Sequence, residues 1–253
     1  MTNFGSYIIC ATPRSGSTLL CDLLNASRIA GRPDSFFRYE SFPWWADYLN
    51  VSTEHWDAQG KFDSAYLSAV KDWGSNGTPV FGMRLMWESV TDLSKRLEWF
   101  YPDLPEDSAR FAAAFGNPLY LHLSRADKIS QAISRYRAEQ SGLWHRYSDG
   151  SERERLKPGQ EPAYDAHAMS KIVASLEEQD SLWASWFQQQ GIHPIPVEYE
   201  KLASNPQNVL SSVLSELGLD CTIAASVNPK SAKMADSESQ AWADRLRRER
   251  EET

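Results

Sequence analysis

The sequence predicts an α/β fold of three layers, in which helices flank a central and mainly parallel sheet. Four short apolar runs, at 7–11, 79–85, 118–124 and 194–199, are typical of buried strands. Helical patterns fill the intervals between them, as expected when helical crossovers join parallel strands. With 253 residues and 42% apolar content, the chain favours one large domain, 1–253, over two small ones.

The first element, from Ser6 to Ser27, predicts a strand, a tight turn and a helix. The apolar run breaks at Thr12-Pro13, and an amphipathic segment starts at Thr18. Unpaired N–H groups and the positive dipole end make a helix N-terminus favourable for an anion. Hydroxyls and a guanidinium add donors here, which predicts a phosphate or sulfate site formed by Arg14, Ser15, Gly16, Ser17 and Thr18. The plain alternative is an ordinary Ser-rich turn with a surface arginine.

This turn differs from the nucleotide-binding loop GxxxxGK[ST]. No lysine follows Gly16, and Arg14 precedes that glycine. The run 118–124 leads into Arg125, so the charge at that strand end is positive where a magnesium site needs a carboxylate. The pattern therefore favours binding of an anion without a metal, and it makes a small-molecule kinase the weaker interpretation.

Two further helices are predicted to be scaffold. The segment Tyr164 to Gln189 has apolar residues at helical spacing, and Gly191 offers a stop. The other helix begins at Asn205-Pro206 and ends before Gly218. The last segment, 241–251, predicts a solvated helix whose arginines have acidic neighbours.

Two segments do not look like scaffold. Residues 31–56 mix aromatic, charged and proline residues without a clean period, and they follow the predicted anion-binding helix directly. Residues 141–163 form a long polar connection, and connections of that length are usually functional or disordered. We expect 31–56 to line the site, and 141–163 to be a lid, an oligomer contact or a mobile loop.

Composition excludes several classes of function. A formal charge of −8 and a pI near 5.2 argue against a nucleic-acid surface, so any basic site must be local. No apolar run is long enough to span a membrane, and the N-terminus lacks the blocks of a signal peptide. Three cysteines without metal-ligand spacing indicate buried thiols and a cytoplasmic protein.

Several stretches together resemble the bacterial carbohydrate sulfotransferases, a group with trehalose 2-sulfotransferase, nodulation-factor and lipopolysaccharide sulfotransferases among its members. The turn at Arg14 to Thr18 alone is a weak signal, but the similar stretches follow one another in the order of the family and cover nearly the whole chain. The set comprises PRSGSTLL, AGRPDSFF, GMRLMW, HLSRADKISQAIS, EEQDSLWASWF, VEYEKLASNPQNVLSSVLSELGL and AWADRLRRE. The resemblance implies a P-loop-like fold and metal-free sulfuryl transfer from 3′-phosphoadenosine 5′-phosphosulfate (PAPS) to an alcohol. It also implies a homodimer.

The resemblance also implies roles for individual residues. The 5′-phosphosulfate would lie on Arg14 to Thr18, and the 3′-phosphate on Arg125 and Ser134. The interval from Arg125 to Ser134 is one residue longer than usual, which leaves Ser130 as a competitor. Arg84 stands where the group usually has lysine, and a cation there would neutralise the bridging oxygen as the sulfuryl group leaves.

One departure concerns the base that accepts the proton of the acceptor hydroxyl. The trehalose enzymes of the group have the pattern GEPxEFF, in which the second glutamate is the base and the first helps to bind the sugar. Here the stretch reads Gly31-Arg32-Pro33-Asp34-Ser35-Phe36-Phe37, so Ser35 stands at the position of the base and Arg32 at that of the sugar-binding glutamate, which argues against trehalose as the acceptor. Asp34 is the nearest replacement base, followed by Glu40, His55 and His145.

Arg32 and Arg38 add positive charge beside the expected acceptor site. They indicate an anionic saccharide or glycolipid as the acceptor, with Ser35 as a further contact. A protein that binds phosphoadenosine but has lost the base is the remaining alternative to an active enzyme.

Overall fold

The strands and helices alternate as the sequence predicts. In the computed structural model, the described residues are 4–54, 56, 64–147, 149–228 and 236–252. They form six strands, β1 to β6: Ser6–Ala11, Phe81–Met86, Pro118–Ser124, Leu143–Arg146, Glu152–Arg155 and Ile195–Glu198. They also form ten α-helices, α1 to α10: Ser17–Ser27, Phe42–Tyr48, Ser64–Ser75, Trp87–Phe100, Asp107–Phe115, Lys128–Ser141, Ala166–Gln189, Tyr199–Ser204, Pro206–Glu216 and Ser237–Glu251. Every helix within these ranges is too short or too polar to cross a lipid bilayer.

Four strands form a parallel sheet in the order β2-β1-β3-β6. Their carboxyl ends meet at one edge, because Ala11 pairs with both Met86 and Leu123, and Ser124 pairs with Glu198. The predicted strands are confirmed, with ends shifted by at most two residues. Ligands of open α/β sheets bind beyond this carboxyl edge, which is where α1 begins.

The two faces of the sheet are covered by different cores, which confirms the three layers. Along β1, Ile8 and Cys10 face an aromatic core completed by α3, α4, α5 and α7. Tyr7, Ile9 and Ala11 face a mainly aliphatic core completed by α1 and α9. All five side chains are fully buried, as the alternation of a strand between two layers requires.

The two predicted scaffold helices are confirmed as α7 and α9. Helix α7 ends before Gly191, which adopts a φ of 62°, and α9 is capped by the side chain of Asn205. The indole of Trp183 on α7 is fully buried and donates a hydrogen bond to the carbonyl of Ala11 (3.1 Å). This bond anchors the end of β1, where the turn into α1 starts.

The C-terminal helix α10 starts earlier than the predicted 241–251 and is docked as well as solvated. Its Ala243 and Leu246 are buried against α6 and α7, where they meet Ile133 and Met169. The predicted acidic partners of its arginines are present, as in the pair between Arg245 Nε and a Glu249 oxygen (2.7 Å). The 3.6-residue repeat of apolar positions was too sparse in this charged segment to predict the packing.

Both segments that the sequence sets apart have defined structure in their described residues. Residues 31–35 lie beside β2, where the amide of Arg84 donates to the carbonyl of Asp34 (2.9 Å). Gly31 is required there, because its φ is 71° and a Cβ would lie 2.5 Å from the Gly74 carbonyl oxygen. Phe36 is buried in the aromatic core. Within 141–163, β4 and β5 form an antiparallel hairpin.

Candidate functional site

The turn between β1 and α1 leaves the helix N-terminus open. Arg14 and Gly16 both adopt left-handed backbone, with φ of 64° and 93°. Gly16 precedes α1, and no side chain caps the first turn of that helix among the described residues. A Cβ on Gly16 would lie 2.6 Å from a ring carbon of Tyr199, so glycine is required for packing as well as for φ. The amides of this turn can therefore bind an anion.

Hydroxyl groups line the same turn. The Oγ of Ser15 is fully buried and has no hydrogen-bond partner among the described residues. A buried hydroxyl without a partner costs about 1–3 kcal/mol, so this group fits a site that a ligand completes. Ser17 is buried at the start of α1, and the Oγ1 of Thr18 accepts from Nη1 of Arg84 (3.0 Å).

Arg14 reaches across to α6 and to the hairpin. Its Nε donates to the Oγ of Ser134 (2.9 Å), and its Nη1 donates to the carbonyl of Trp144. Burial, with Arg125 as the next cause, lowers the pKa of Arg14 to about 10. The guanidinium is therefore still charged at neutral pH.

Arg125 lies beside the turn from the neighbouring strand end. Its Nη1 is 3.5 Å from the carbonyl oxygen of Arg14, and its guanidinium stacks over the ring of Tyr199 at 4.3 Å. Its Nε is buried without a partner among the described residues, and burial lowers the pKa of Arg125. Two arginines thus converge on one turn with donors left over, although the chain carries a net charge of −8.

The neighbourhood of Arg125 also separates the two serine candidates on α6. Asp127 caps α6 by accepting from the amide (3.0 Å) and hydroxyl (2.6 Å) of Ser130, and it pairs with Arg247 (2.9 Å). Ser130 is thus used by the helix cap, whereas Ser134 is the serine that contacts Arg14.

A second cluster surrounds Arg84 at the end of β2. Its Nε donates to the Oγ of Ser35 (2.8 Å), and its Nη2 is 3.6 Å from Oδ1 of Asp34. The Arg84 side chain is 18% exposed and the Asp34 side chain 44%, so the carboxylate borders solvent. The same Oδ1 accepts from the amide of Ser35 (2.7 Å). Together with Thr18, this cluster is continuous with the turn.

The β4–β5 hairpin lies against these two clusters. The Nε2 of His145 is 3.1 Å from Oγ1 of Thr18, and its Nδ1 is 3.5 Å from Nη1 of Arg14. Arg153 makes a bidentate pair with the buried Asp22 of α1 (2.5 and 2.9 Å). Burial, and then the nearby arginines, lower the pKa of His145 to about 3.

Other predicted site residues lie outside these clusters. Arg32 donates to Oδ1 of Asn76 (2.7 Å) and stacks over Trp73 at 4.5 Å. Arg38 pairs with the exposed Glu40 (3.0 Å). His55 lies outside the described residues.

Residues that support the turn were missed by sequence reasoning. Gln131 on α6 is fully buried, and its amide donates to Thr12 Oγ1 (3.0 Å) and the Pro13 carbonyl (2.7 Å). Tyr199 packs on both Gly16 and Arg125. Neither residue type signals anion binding, and only their positions after strand ends point to the site. Across the described ranges, no three His, Cys, Asp or Glu residues are grouped as metal ligands.

The chain is similar to known proteins over nearly its whole length. Residues 6–249 match a family model described as "Stf0 sulphotransferase". Trehalose 2-sulfotransferase of Mycobacterium tuberculosis is 32% identical over 262 residues, which cover 96% of this chain and 94% of that protein. The protein of the same name from Mycolicibacterium smegmatis is 31% identical over 265 residues, covering 96% and 95%. Among solved structures, the sulfotransferase domain of a Synechococcus olefin synthase is similar with a TM-score of 0.45 and 16% identity, covering 98% and 89%.

Proposed function

Since the chain belongs to the Stf0 sulfotransferase family, we propose that it transfers a sulfuryl group from PAPS to a hydroxyl of a saccharide or glycolipid. Membership of the family confirms the resemblance inferred from the sequence and makes the protein a sulfotransferase rather than a kinase. The relatives named trehalose 2-sulfotransferase support a carbohydrate acceptor. A homodimer in the cytoplasm belongs to the same proposal.

The observation that carries the choice of donor is the open N-terminus of α1 between two arginines. The uncapped first turn, the buried Ser15 hydroxyl and the Nε of Arg125 are donor groups without partners among the described residues. Such a set of donors fits a ligand with two separate anionic groups better than one with a single phosphate. PAPS is such a ligand, and it supplies an activated sulfuryl group whose leaving group is adenosine 3′,5′-bisphosphate.

The residues divide between the two ends of that ligand. We assign the 5′-phosphosulfate to the side chain of Arg14 and to the turn from Ser15 to Thr18. The 3′-phosphate is assigned to Arg125 and Ser134. The contacts of Arg14 with Ser134 and of Arg125 with the Arg14 carbonyl support a shared pocket for both groups.

Arg84 is the cation proposed to act on the leaving oxygen. Its guanidinium is held by Ser35 and Thr18, so it is oriented before the reaction starts. A preorganised cation where negative charge develops needs little rearrangement, and one such donor is worth about 3 kcal/mol.

Asp34 is the proposed base for the acceptor hydroxyl. Its contacts with Arg84 and with the Ser35 amide both use Oδ1, and we assign proton acceptance to Oδ2. The partial exposure of this carboxylate supports that role, because an acceptor can reach it from solvent. Glu40 pairs with Arg38 away from the turn, which makes it the weaker choice.

An anionic acceptor has less support than a saccharide in general. That finer proposal depends on Arg32 and Arg38, and both guanidiniums already have partners in Asn76 and Glu40. The acceptor screen should therefore compare neutral with acidic saccharides and glycolipids, and trehalose belongs in it because of the similar proteins.

The donor is tested by thermal unfolding of the purified protein. Adenosine 3′,5′-bisphosphate at about 100 times its Kd should stabilise the fold by about 2.7 kcal/mol, a rise in Tm of roughly 5–10 °C. ATP with magnesium should give a much smaller shift. Transfer of labelled sulfate from PAPS to the acceptor screen then tests the reaction. Stabilisation by ATP with magnesium alone, or no transfer to any acceptor, would contradict the proposal.

Replacing Asp34 by asparagine is expected to lower kcat about 100-fold or more, because the amide keeps its shape but cannot accept the proton. The Kd of adenosine 3′,5′-bisphosphate should stay within about twofold, since the nucleotide does not depend on this carboxylate. Steady-state sulfate transfer and calorimetry measure the two quantities. Glu198→Gln, an exposed carboxylate on β6, is the matched control. A kcat close to wild type in Asp34→Asn would assign the proton to another group.

A further inference from the structure

His145 is the hairpin residue that touches the turn most directly. Its Nε2 is 3.1 Å from Thr18 Oγ1, and its Nδ1 is 3.5 Å from Arg14 Nη1. Thr18 and Arg14 are both residues that we assign to the donor. The imidazole lies between them rather than beside Asp34, so its contacts suggest a role other than that of the base.

The partners of the ring select one of its two neutral forms. A guanidinium can only donate, so Nδ1 can face Arg14 favourably only when it carries no proton. The carboxylate of Glu154 can only accept, and its Oε2 is 3.5 Å from Nε2. Arg14 therefore favours an Nδ1 without a proton and Glu154 favours a proton on Nε2, and the two together select the neutral form protonated on Nε2.

The charges around the ring keep it neutral. Arg14 of the turn, Arg84 of β2 and Arg153 of β5 all oppose a further proton on it, and Glu154 is the opposing charge. Burial acts in the same direction as the arginines, and together they lower the pKa of His145 to about 3. The ring thus has one donor and one acceptor at neutral pH.

A proton on Nε2 fixes what the hydroxyl of Thr18 can do. A hydroxyl oxygen has two lone pairs and one hydrogen. Arg84 Nη1 donates to Oγ1 at 3.0 Å, and the His145 Nε2–H donates to the same oxygen at 3.1 Å. With both lone pairs used, the hydrogen of Thr18 is left to donate, and the open turn of α1 is where an anion would accept it.

We propose that His145 is a positioning residue which, together with Arg84, makes the Thr18 hydroxyl an obligatory donor to the anion bound at the N-terminus of α1. The inference rests on the proposed function, which places the phosphosulfate at this turn. The hairpin holds the ring in place through the Arg153–Asp22 pair and the contact of the Trp144 carbonyl with Arg14. His145 thereby acts through Thr18, and the chemical step does not need it to accept a proton.

The first test is a mutant cycle read by calorimetry with adenosine 3′,5′-bisphosphate. His145→Ala should weaken binding about tenfold, as expected for loss of one oriented hydrogen bond to a charged group. His145→Gln should keep most of the affinity, because its amide can donate from near the Nε2 position. Thr18→Val should weaken binding by a similar factor. Adding His145→Ala to Thr18→Val should then raise the Kd by less than about twofold. His193→Ala is the matched control, an exposed histidine just before the amino end of β6.

The second test needs no ligand. Nitrogen NMR of the imidazole, assigned by comparison with His145→Gln, should show a proton on Nε2 and none on Nδ1 between about pH 5 and 8. A proton on Nδ1, a ring that titrates in that range, additive losses in the cycle, or tighter binding by His145→Ala would each overturn the inference. The wild-type protein could also fail to bind adenosine 3′,5′-bisphosphate while the His145 ring carries its proton on Nε2. That result would overturn the proposed function and, with it, the role of Thr18.

Discussion

Replacing Arg84 by alanine is expected to lower kcat by about 100- to 1,000-fold, the usual cost of removing one preorganised group from a developing charge. The guanidinium is held between Ser35, Thr18 and Asp34 before any ligand arrives, so its contribution falls on the transfer step. The Kd of adenosine 3′,5′-bisphosphate should change less than about tenfold, because the nucleotide is held chiefly by other residues. Single-turnover transfer from PAPS separates the two effects.

Arg84→Lys gives the sharper comparison. Lysine keeps the positive charge but loses the fork that binds Ser35 and Thr18, so it should restore kcat to within about tenfold of wild type. Arg245→Ala, an exposed arginine paired with Glu249 on α10, is the control for the loss of a positive charge. Equal losses in the alanine and lysine variants would mean that hydrogen bonding, rather than charge, is what Arg84 provides. A kcat near that of wild type in Arg84→Ala would show that Arg84 does not act in the transfer step.

Arg125→Ala is expected to weaken binding of adenosine 3′,5′-bisphosphate about 100-fold, because a charge-assisted contact with a phosphate is worth up to about 3 kcal/mol. Adenosine 5′-monophosphate lacks the 3′-phosphate, and its Kd should stay within about twofold. Calorimetry with both nucleotides measures the difference.

Arg14→Ala is the matched comparison for Arg125, because the two guanidiniums flank the same turn. This substitution should weaken the binding of both nucleotides by similar factors, since the 5′ group is common to them. Similar losses of affinity for both nucleotides in Arg125→Ala would contradict the assignment of the 3′-phosphate to Arg125. The stacking of Arg125 on Tyr199 makes Arg125→Lys an intermediate case, because an ammonium cannot reproduce that planar contact.

The sequence predicted the parts of the site that follow strand ends. Arg14, Arg84 and Arg125 each lie at or just after the carboxyl end of a parallel strand, and such ends meet at one edge of any α/β sheet. Their convergence followed from the order of apolar runs and turns. The sequence predicted that Ser134, two turns into α6, faces the same phosphate as Arg125, and the arginine that it contacts in the structure is Arg14.

Side-chain direction and long-range pairing were beyond the reach of sequence patterns. The β5 residues Glu152–Arg155 have no apolar alternation, so nothing local predicted a strand there. The hairpin is instead held by contacts with residues over 100 positions away, such as Arg153 with Asp22. Arg32 stands near Asp34 in sequence, yet its side chain lies on Trp73. Phe36 and Phe37 belong to the buried core, although the segment 31–56 lacks the periodicity of a buried element.

The backbone hydrogen bond from the Arg84 amide to the Asp34 carbonyl has two effects: it covers an edge of the sheet, and it fixes the position of Asp34. β2 is the outermost strand on its side of the sheet, and a bare strand there invites pairing with another molecule and aggregation. Residues 31–35 cover the edge of β2, and their register along that strand determines which side chain faces Arg84. One amino acid inserted into 31–35 would slide the chain along β2, turn the carboxylate away and uncover hydrogen-bonding groups. Solubility and turnover should therefore fail together in such an insertion variant.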